Sequence, residues 1–173
     1  MPGAGKSTIA IGLKSKGYEI INMGDAVREE AKRRNIEPTG QNLGKLMLEL
    51  RNKNGPGAVV DLIQTQLENS KSNVIVIDGI RSNDEIQSLR RFGTVKLLSI
   101  HASTDTRYNF LIERGRSDDP HTRDNFDERD SREIKVGISA PIALADESLS
   151  NNELTINDLI EHAYKIIQRW QSE

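Results

Sequence analysis

The sequence contains no cysteine, which excludes a disulfide framework and any zinc site built on thiolates. It carries no excess of positive charge either. Its 24 basic and 26 acidic residues leave a formal net charge of -2, so no bulk field draws in a polyanion, and nucleic acid is not an expected partner. No stretch reaches the roughly 20 apolar residues of a membrane span, and the N-terminus lacks the charged-then-apolar pattern of a signal peptide. Internal repeats, low-complexity tracts and charged tails are also missing. His101, His121 and His162 show no ligand spacing and are expected in packing or surface roles. These absences together predict a soluble, cytoplasmic protein with no membrane or nucleic-acid partner.

What is present is an alternation of β-branched runs with longer segments of helical period. Strands are predicted over Tyr18–Asn22, Asn73–Asp78, Thr94–His101 and Glu147–Ser150. Helices are predicted over Lys6–Lys16, Asp25–Arg34, Gln41–Lys53, Ala58–Glu68, Asp84–Phe92, Thr104–Arg114, Asn125–Gly137 and Ile156–Arg169. Asn73–Asp78 reads as a strand buried on both faces, the mark of a parallel sheet covered by helices. The order predicts an α/β fold of three layers around a mostly parallel sheet. Gly55-Pro56-Gly57 breaks two helices but not two domains, because periodic segments resume on both sides, so residues 1–173 are expected to form a single domain. In the last helix Thr155 and Asp158 offer a capping-box-like start.

The chain opens Met1-Pro2-Gly3-Ala4-Gly5-Lys6-Ser7-Thr8, the end of the pattern G-x-x-x-x-G-K-[ST], and runs straight into a helix. Small residues let backbone N–H groups curl around phosphate oxygens. The following helix presents its positive end, Lys6 reaches the β- and γ-phosphates, and Ser7 can ligate Mg²⁺. Pro2, Gly3, Ala4, Gly5, Lys6, Ser7 and Thr8 are therefore the expected binding loop for ATP. The pattern's first glycine, and the strand that normally delivers the loop, would lie before Met1. The fold is thus expected to lack its first strand here, with the natural start upstream.

Three further groups follow in order: Gly24-Asp25-Ala26-Val27-Arg28 at a helix start, Asp78-Gly79-Ile80-Arg81 at the end of the strongest strand, and Arg114-Gly115-Arg116-Ser117-Asp118-Asp119, with Arg123, Arg129 and Arg132 beyond. A strand-end acid such as Asp78 can hold Mg²⁺, directly or through water. Arginine suits phosphate recognition because its planar fork donates two parallel hydrogen bonds.

This succession resembles the P-loop nucleoside-monophosphate kinases, and most nearly the archaeal adenylate-kinase-related, dephospho-CoA-kinase-like proteins. The resemblance implies that Arg28 clamps the acceptor phosphate, with Asp25 beside it and Arg81 facing the same group. It implies an acceptor-binding region at about 25–70 and a lid region at about 114–132. There Arg116 and either Arg129 or Arg132 join Lys6 as catalytic residues, while Ser7 and Asp78 hold Mg²⁺. The expected activity is transfer of the ATP γ-phosphoryl group to a small phosphorylated acceptor, with a nucleoside monophosphate foremost. Met23 stands where a Thr often precedes G-D, and the D-G-x-R turn is one residue short, so the acceptor stays unnamed. A second class would use the same loop: a switch ATPase that hydrolyses slowly and signals to a protein partner. Such a switch needs neither Arg28 nor Arg81. No Asn-Lys-x-Asp guanine-reading motif follows a strand.

Overall fold

The computed structural model describes all residues, Met1–Glu173. Six helices start on a Ser, Thr or Asn whose side chain accepts from a first-turn amide, which satisfies one of the donors a helix N-terminus leaves free. Asn22 caps α2 (Met23–Arg33), Thr39 caps α3 (Gly40–Asn54), and Ser82 caps α6 (Asn83–Leu89). Ser103 caps α7 (Thr104–Arg114), Thr122 caps α8 (Arg123–Val136), and Thr155 caps α10 (Ile156–Ser172), as the Thr155/Asp158 pair predicts. The helix α1 (Lys6–Ser15) differs. It starts on Gly5, with no side-chain cap.

Four short strands form two parallel ladders. β1 (Glu19–Asn22) pairs with β2 (Ile75–Asp78), with Asn22 opposite Asp78. β3 (Leu98–His101) pairs with β4 (Glu147–Ser150), with His101 opposite Ser150. The expectation of a mostly parallel sheet short of one strand is met: both ladders are parallel, and β2 and β3 are not hydrogen-bonded to each other. No strand among the described residues precedes α1 to bridge them.

Strand alternation explains the layers. Ile21, Ile75 and Ile77 point into one core, formed with buried Val27, Leu46, Val60 and Ile63 from the helices on that side. Ile20, Val74 and Val76 point into a second core, formed with Leu13 of α1, Ile100 of β3, and Leu159 and Ala163 of α10. Full burial of a Leu or Ile side chain contributes about 1.5–3 kcal/mol. Helical layers therefore hold the β1–β2 ladder from opposite faces, with the β3–β4 ladder packed into the second core, and the carboxyl ends of the strands are left to form a site.

Some boundaries differ from the sequence reading. The helix expected over Ala58–Glu68 is two short pieces, α4 (Ala58–Asp61) and α5 (Gln64–Asn69). Between them Leu62 and Ile63 tighten to i→i−3 hydrogen bonds while Ile63 enters the core at 0 % exposure. The strands at Asn73–Asp78 and Thr94–His101 shrink to their last four residues. A short α9 (Ser139–Ala143), which has no expected counterpart, follows α8. No helix is long and apolar enough to cross a membrane.

Candidate active site

Gly5 sits at φ 101, the left-handed region that a side chain rarely adopts, and this bend feeds the loop into α1. With no side chain capping that helix, its first-turn amides are free to meet an anion. Neighbours crowd the loop so closely that only glycine fits. A Cβ on Gly3 would stand 2.6 Å from the Arg107 carbonyl oxygen of α7, and one on Gly5 would stand 2.5 Å from Asn151 Nδ2. Asn151, just past β4 and buried, donates to the Ala4 carbonyl at 3.1 Å. Arg107, also buried, donates to the Pro2 carbonyl at 3.1 Å and to Asp130 Oδ1 at 2.9 Å. Loop shape is therefore set from both sides. No sequence pattern marks Asn151 or Arg107, because each acts through a contact more than a hundred residues away.

The register of β1 against β2 brings Asn22 beside Asp78. Asp78 Oδ2 accepts from Asn22 Nδ2 at 2.9 Å and from the Ser7 hydroxyl at 3.0 Å. Asn22 also accepts the Asp25 amide at 2.9 Å, so one side chain starts α2 and orients the strand-end acid. A hydroxyl and a carboxylate are hard oxygen donors that suit Mg²⁺, an ion that keeps several waters and takes few protein ligands. No group of three or more His, Cys, Asp or Glu converges anywhere as a metal cage. Lys6 donates from Nζ to the Met1 carbonyl at 2.8 Å. Burial pushes its pKa down, Asp78 opposes this, and Arg81 adds to it.

A cavity of about 440 Å³ opens above the loop. Lys6, Ser7 and Asp78 line it, and so do Arg28, Arg81, Arg116 and Arg129. The strand-end turn and the arginines of three segments thus meet at one place. Each of three arginines is matched by acids: Arg28 by Asp25 on its own helix, Arg81 by Glu133, and Arg129 by Asp119 at 3.1 Å. Burial works to raise the Asp119 pKa. The hydrogen bonds from Arg114 and the Arg116 amide, together with the charges of Arg114 and Arg129, outweigh it and hold the carboxyl below its ordinary value. Burial lowers the Arg129 pKa, against the pull of Asp118 and Glu133.

Three expected site residues lie outside this cavity: Ala4, which is fully buried within the loop, Asp25 and Arg132. Asp25 is largely exposed and grips Arg28 from outside. Arg132 turns away to α3, where a Cβ on Gly44 would meet its Cδ at 3.1 Å. Of the two downstream arginines, Arg129 faces the cavity. Glu133, four residues on and 3 % exposed, shares its face of α8; the sequence reading did not single it out.

A family model described as an AAA domain matches residues 1–127. The chain is 40 % identical over 158 residues to the UPF0200 protein of Pyrococcus abyssi, covering 88 % of this chain and 84 % of that protein. To the UPF0200 protein of Hyperthermus butylicus it is 37 % identical over 169 residues, covering 98 % and 90 %. The chain belongs to the UPF0200 family of AAA-domain proteins. Among solved structures this UPF0200 fold is similar to TT1252 from Thermus thermophilus, with TM-score 0.66, 16 % identity, and 97 % and 92 % of the two chains covered. It is also similar to shikimate kinase from Bacteroides thetaiotaomicron, with TM-score 0.64, 15 % identity, and 96 % and 93 % covered. The family's fold is therefore that of the P-loop kinases, as the sequence resemblance implied. The AAA-domain match takes in the loop, Arg28, Asp78, Arg81 and Arg116, and ends inside α8 just before Arg129.

Proposed function

We propose that this chain transfers the γ-phosphoryl group of ATP to a small phosphorylated acceptor, with a nucleoside monophosphate as the first candidate. The observation that carries this reading is the meeting of Lys6, Ser7 and Asp78 with Arg28, Arg81 and Arg129 around one cavity. In the proposed roles the loop amides and Lys6 hold the β- and γ-phosphates. Ser7 and Asp78 would hold Mg²⁺, which would supply Lewis-acid withdrawal of charge from the ATP phosphates. Arg28 and Arg81 receive the acceptor phosphate, and Arg116 and Arg129 spread the charge of the phosphoryl group in flight. No general base is required when the attacking oxygen belongs to a phosphate dianion. The acceptor-binding region at about 25–70 and the lid at about 114–132 are part of the same proposal. The lid's closure would exclude water that otherwise hydrolyses ATP. A switch ATPase has no use for Arg28 and Arg81 in the cavity, which favours the kinase.

The test is Mg-ATP turnover across a panel of AMP, CMP, UMP, dephospho-CoA and no acceptor. ADP formation that depends on one acceptor class is the expected result. Slow turnover indifferent to every acceptor would move the assignment to the switch.

A further inference from the structure

The segment 115–122 joins α7 to α8, and its Arg116 and Asp118 line the cavity. Its Asp118 carboxylate places Oδ2 3.6 Å from Arg28 Nη1 on α2 and 3.5 Å from Arg129 Nη2 on α8. The side chain is nine-tenths buried, and its other oxygen, Oδ1, has no hydrogen-bond partner. Two neighbouring contacts tie the same segment to the acceptor side. The Ser117 hydroxyl donates to the Pro38 carbonyl at 3.3 Å, and the Asp118 carbonyl stands 3.1 Å from the point a Cβ on Gly40 would occupy at the start of α3. The lid segment thus rests on both α2 and α3 while an acid of its own lies between two arginines that belong to different elements.

We propose that Asp118 is a latch: with no acceptor bound, its carboxylate takes the place of the acceptor's phosphate at Arg28, beside Arg129, and the acceptor must displace it to bind. This rests on the reading of Arg28 and Arg129 as recipients of acceptor and transferred phosphoryl groups. Three features argue for displacement over permanent bridging. Both contacts are long for ion pairs, whereas Arg28 holds Asp25, and Arg129 holds Asp119 at 3.1 Å, so each arginine keeps another partner when Asp118 leaves. The unpartnered Oδ1 makes the latched position costly, because a buried carboxylate oxygen without a donor loses its hydration and gains nothing. A phosphate dianion brings more charge and more acceptor oxygens to two guanidinium forks than the carboxylate does. The device selects against ligands with a single carboxylate, which would only exchange like for like, and in favour of phosphate monoesters.

The experiment is calorimetric titration of inorganic phosphate into the full chain saturated with Mg-ADP, for the parent and Asp118→Asn. If the latch is closed about nine-tenths of the time, removing its charge tightens phosphate binding on the order of tenfold, because the competent fraction rises to unity. Unchanged or weaker binding in Asp118→Asn overturns the proposal and makes Asp118 a group that supports the site. Should that variant fail to fold, the parent answers alone. Saturating phosphate shifts the ¹³C signal of the Asp118 carboxyl as it leaves the guanidiniums, and no shift at saturation overturns the latch. Absence of Mg-ADP binding would count against the proposed function instead. Phosphate is then titrated into the ligand-free chain with the same two outcomes for Asp118.

Discussion

At the scale of single residues, the loop and its acid were legible because their chemistry is local. Gly3, Gly5, Lys6 and Ser7 are fixed by spacing within a few positions, and Asp78 by its place at a strand end. On the proposed reading Lys6→Ala removes one preorganised charge that faces the γ-phosphate, and turnover is expected to fall on the order of 10²–10³-fold; a loss of only a few-fold would undo the assignment of the loop. The downstream arginine was not legible, because Arg129 and Arg132 both stand at plausible distances in sequence. Helical geometry separates them: Arg129 faces the cavity and Arg132 the α3 surface. Arg129→Ala should therefore depress kcat on the order of 10²-fold, with Arg132→Ala staying within a few-fold, and the reverse pattern would reassign the lid. Glu30 gives a pH handle away from the site. Hydrogen bonds from Arg33 and Arg34 hold its carboxyl down at about 2, against burial that works to raise it. Because the folded pKa lies below the unfolded value, its stabilisation is present above pH ~4.5 and drains away as pH falls toward 2. Acid melts of Glu30→Gln should show the gap to the parent closing across that window, and a constant gap would show that the ion pairs do not report.

At the scale of elements, capping residues and apolar period set where most helices form, and packing decided the rest. The α1–α10 contact shows this competition. A Cβ on Gly12 would stand 2.5 Å from Ile160 Cδ1 and 2.6 Å from two more of its carbons, so the two helices approach as closely as they do because Gly12 has no side chain. Gly12→Ala gains about 1 kcal/mol of helix propensity but overpacks the interface by roughly 1–3 kcal/mol, and a net loss of stability is expected. In an Ile160→Ala background only the propensity remains, and Gly12→Ala should become stabilising; denaturant titration of the four proteins measures the coupling. If Gly12→Ala destabilises equally in both backgrounds, the cause is not the Ile160 contact. The break of Ala58–Glu68 into α4 and α5 belongs to the same scale. Its sequence is compatible with one helix, but Ile63 buries fully in the core shared with α2 and α3.

At the scale of the molecule, the two ladders are separate although the core under α1 and α10 runs across both. Neighbouring residues in a parallel ladder aim their backbone groups at opposite sides, so alternate amides of Ile75–Asp78 and Leu98–His101 face away from their partner strands. Hydrogen exchange should therefore alternate along β2 and β3, fast for amides on the facing edges and slow for those within a ladder. Uniform protection along both strands would mean that something pairs with the facing edges. By itself the sequence determined the alternation of strands and helices, the direction of the strands, the glycine-rich loop that runs into α1 and the succession of charged groups, because each is encoded by neighbours within a turn or a strand. Only the tertiary structure decided that Asn151 and Arg107 shape the loop, that Glu133 pairs with Arg81, and that Arg129 and not Arg132 enters the cavity. It also placed Asp118 between two arginines of different helices. The physical reason is the same in each case: these side chains act on groups brought close by packing of the layers, and no local period or spacing carries that distance.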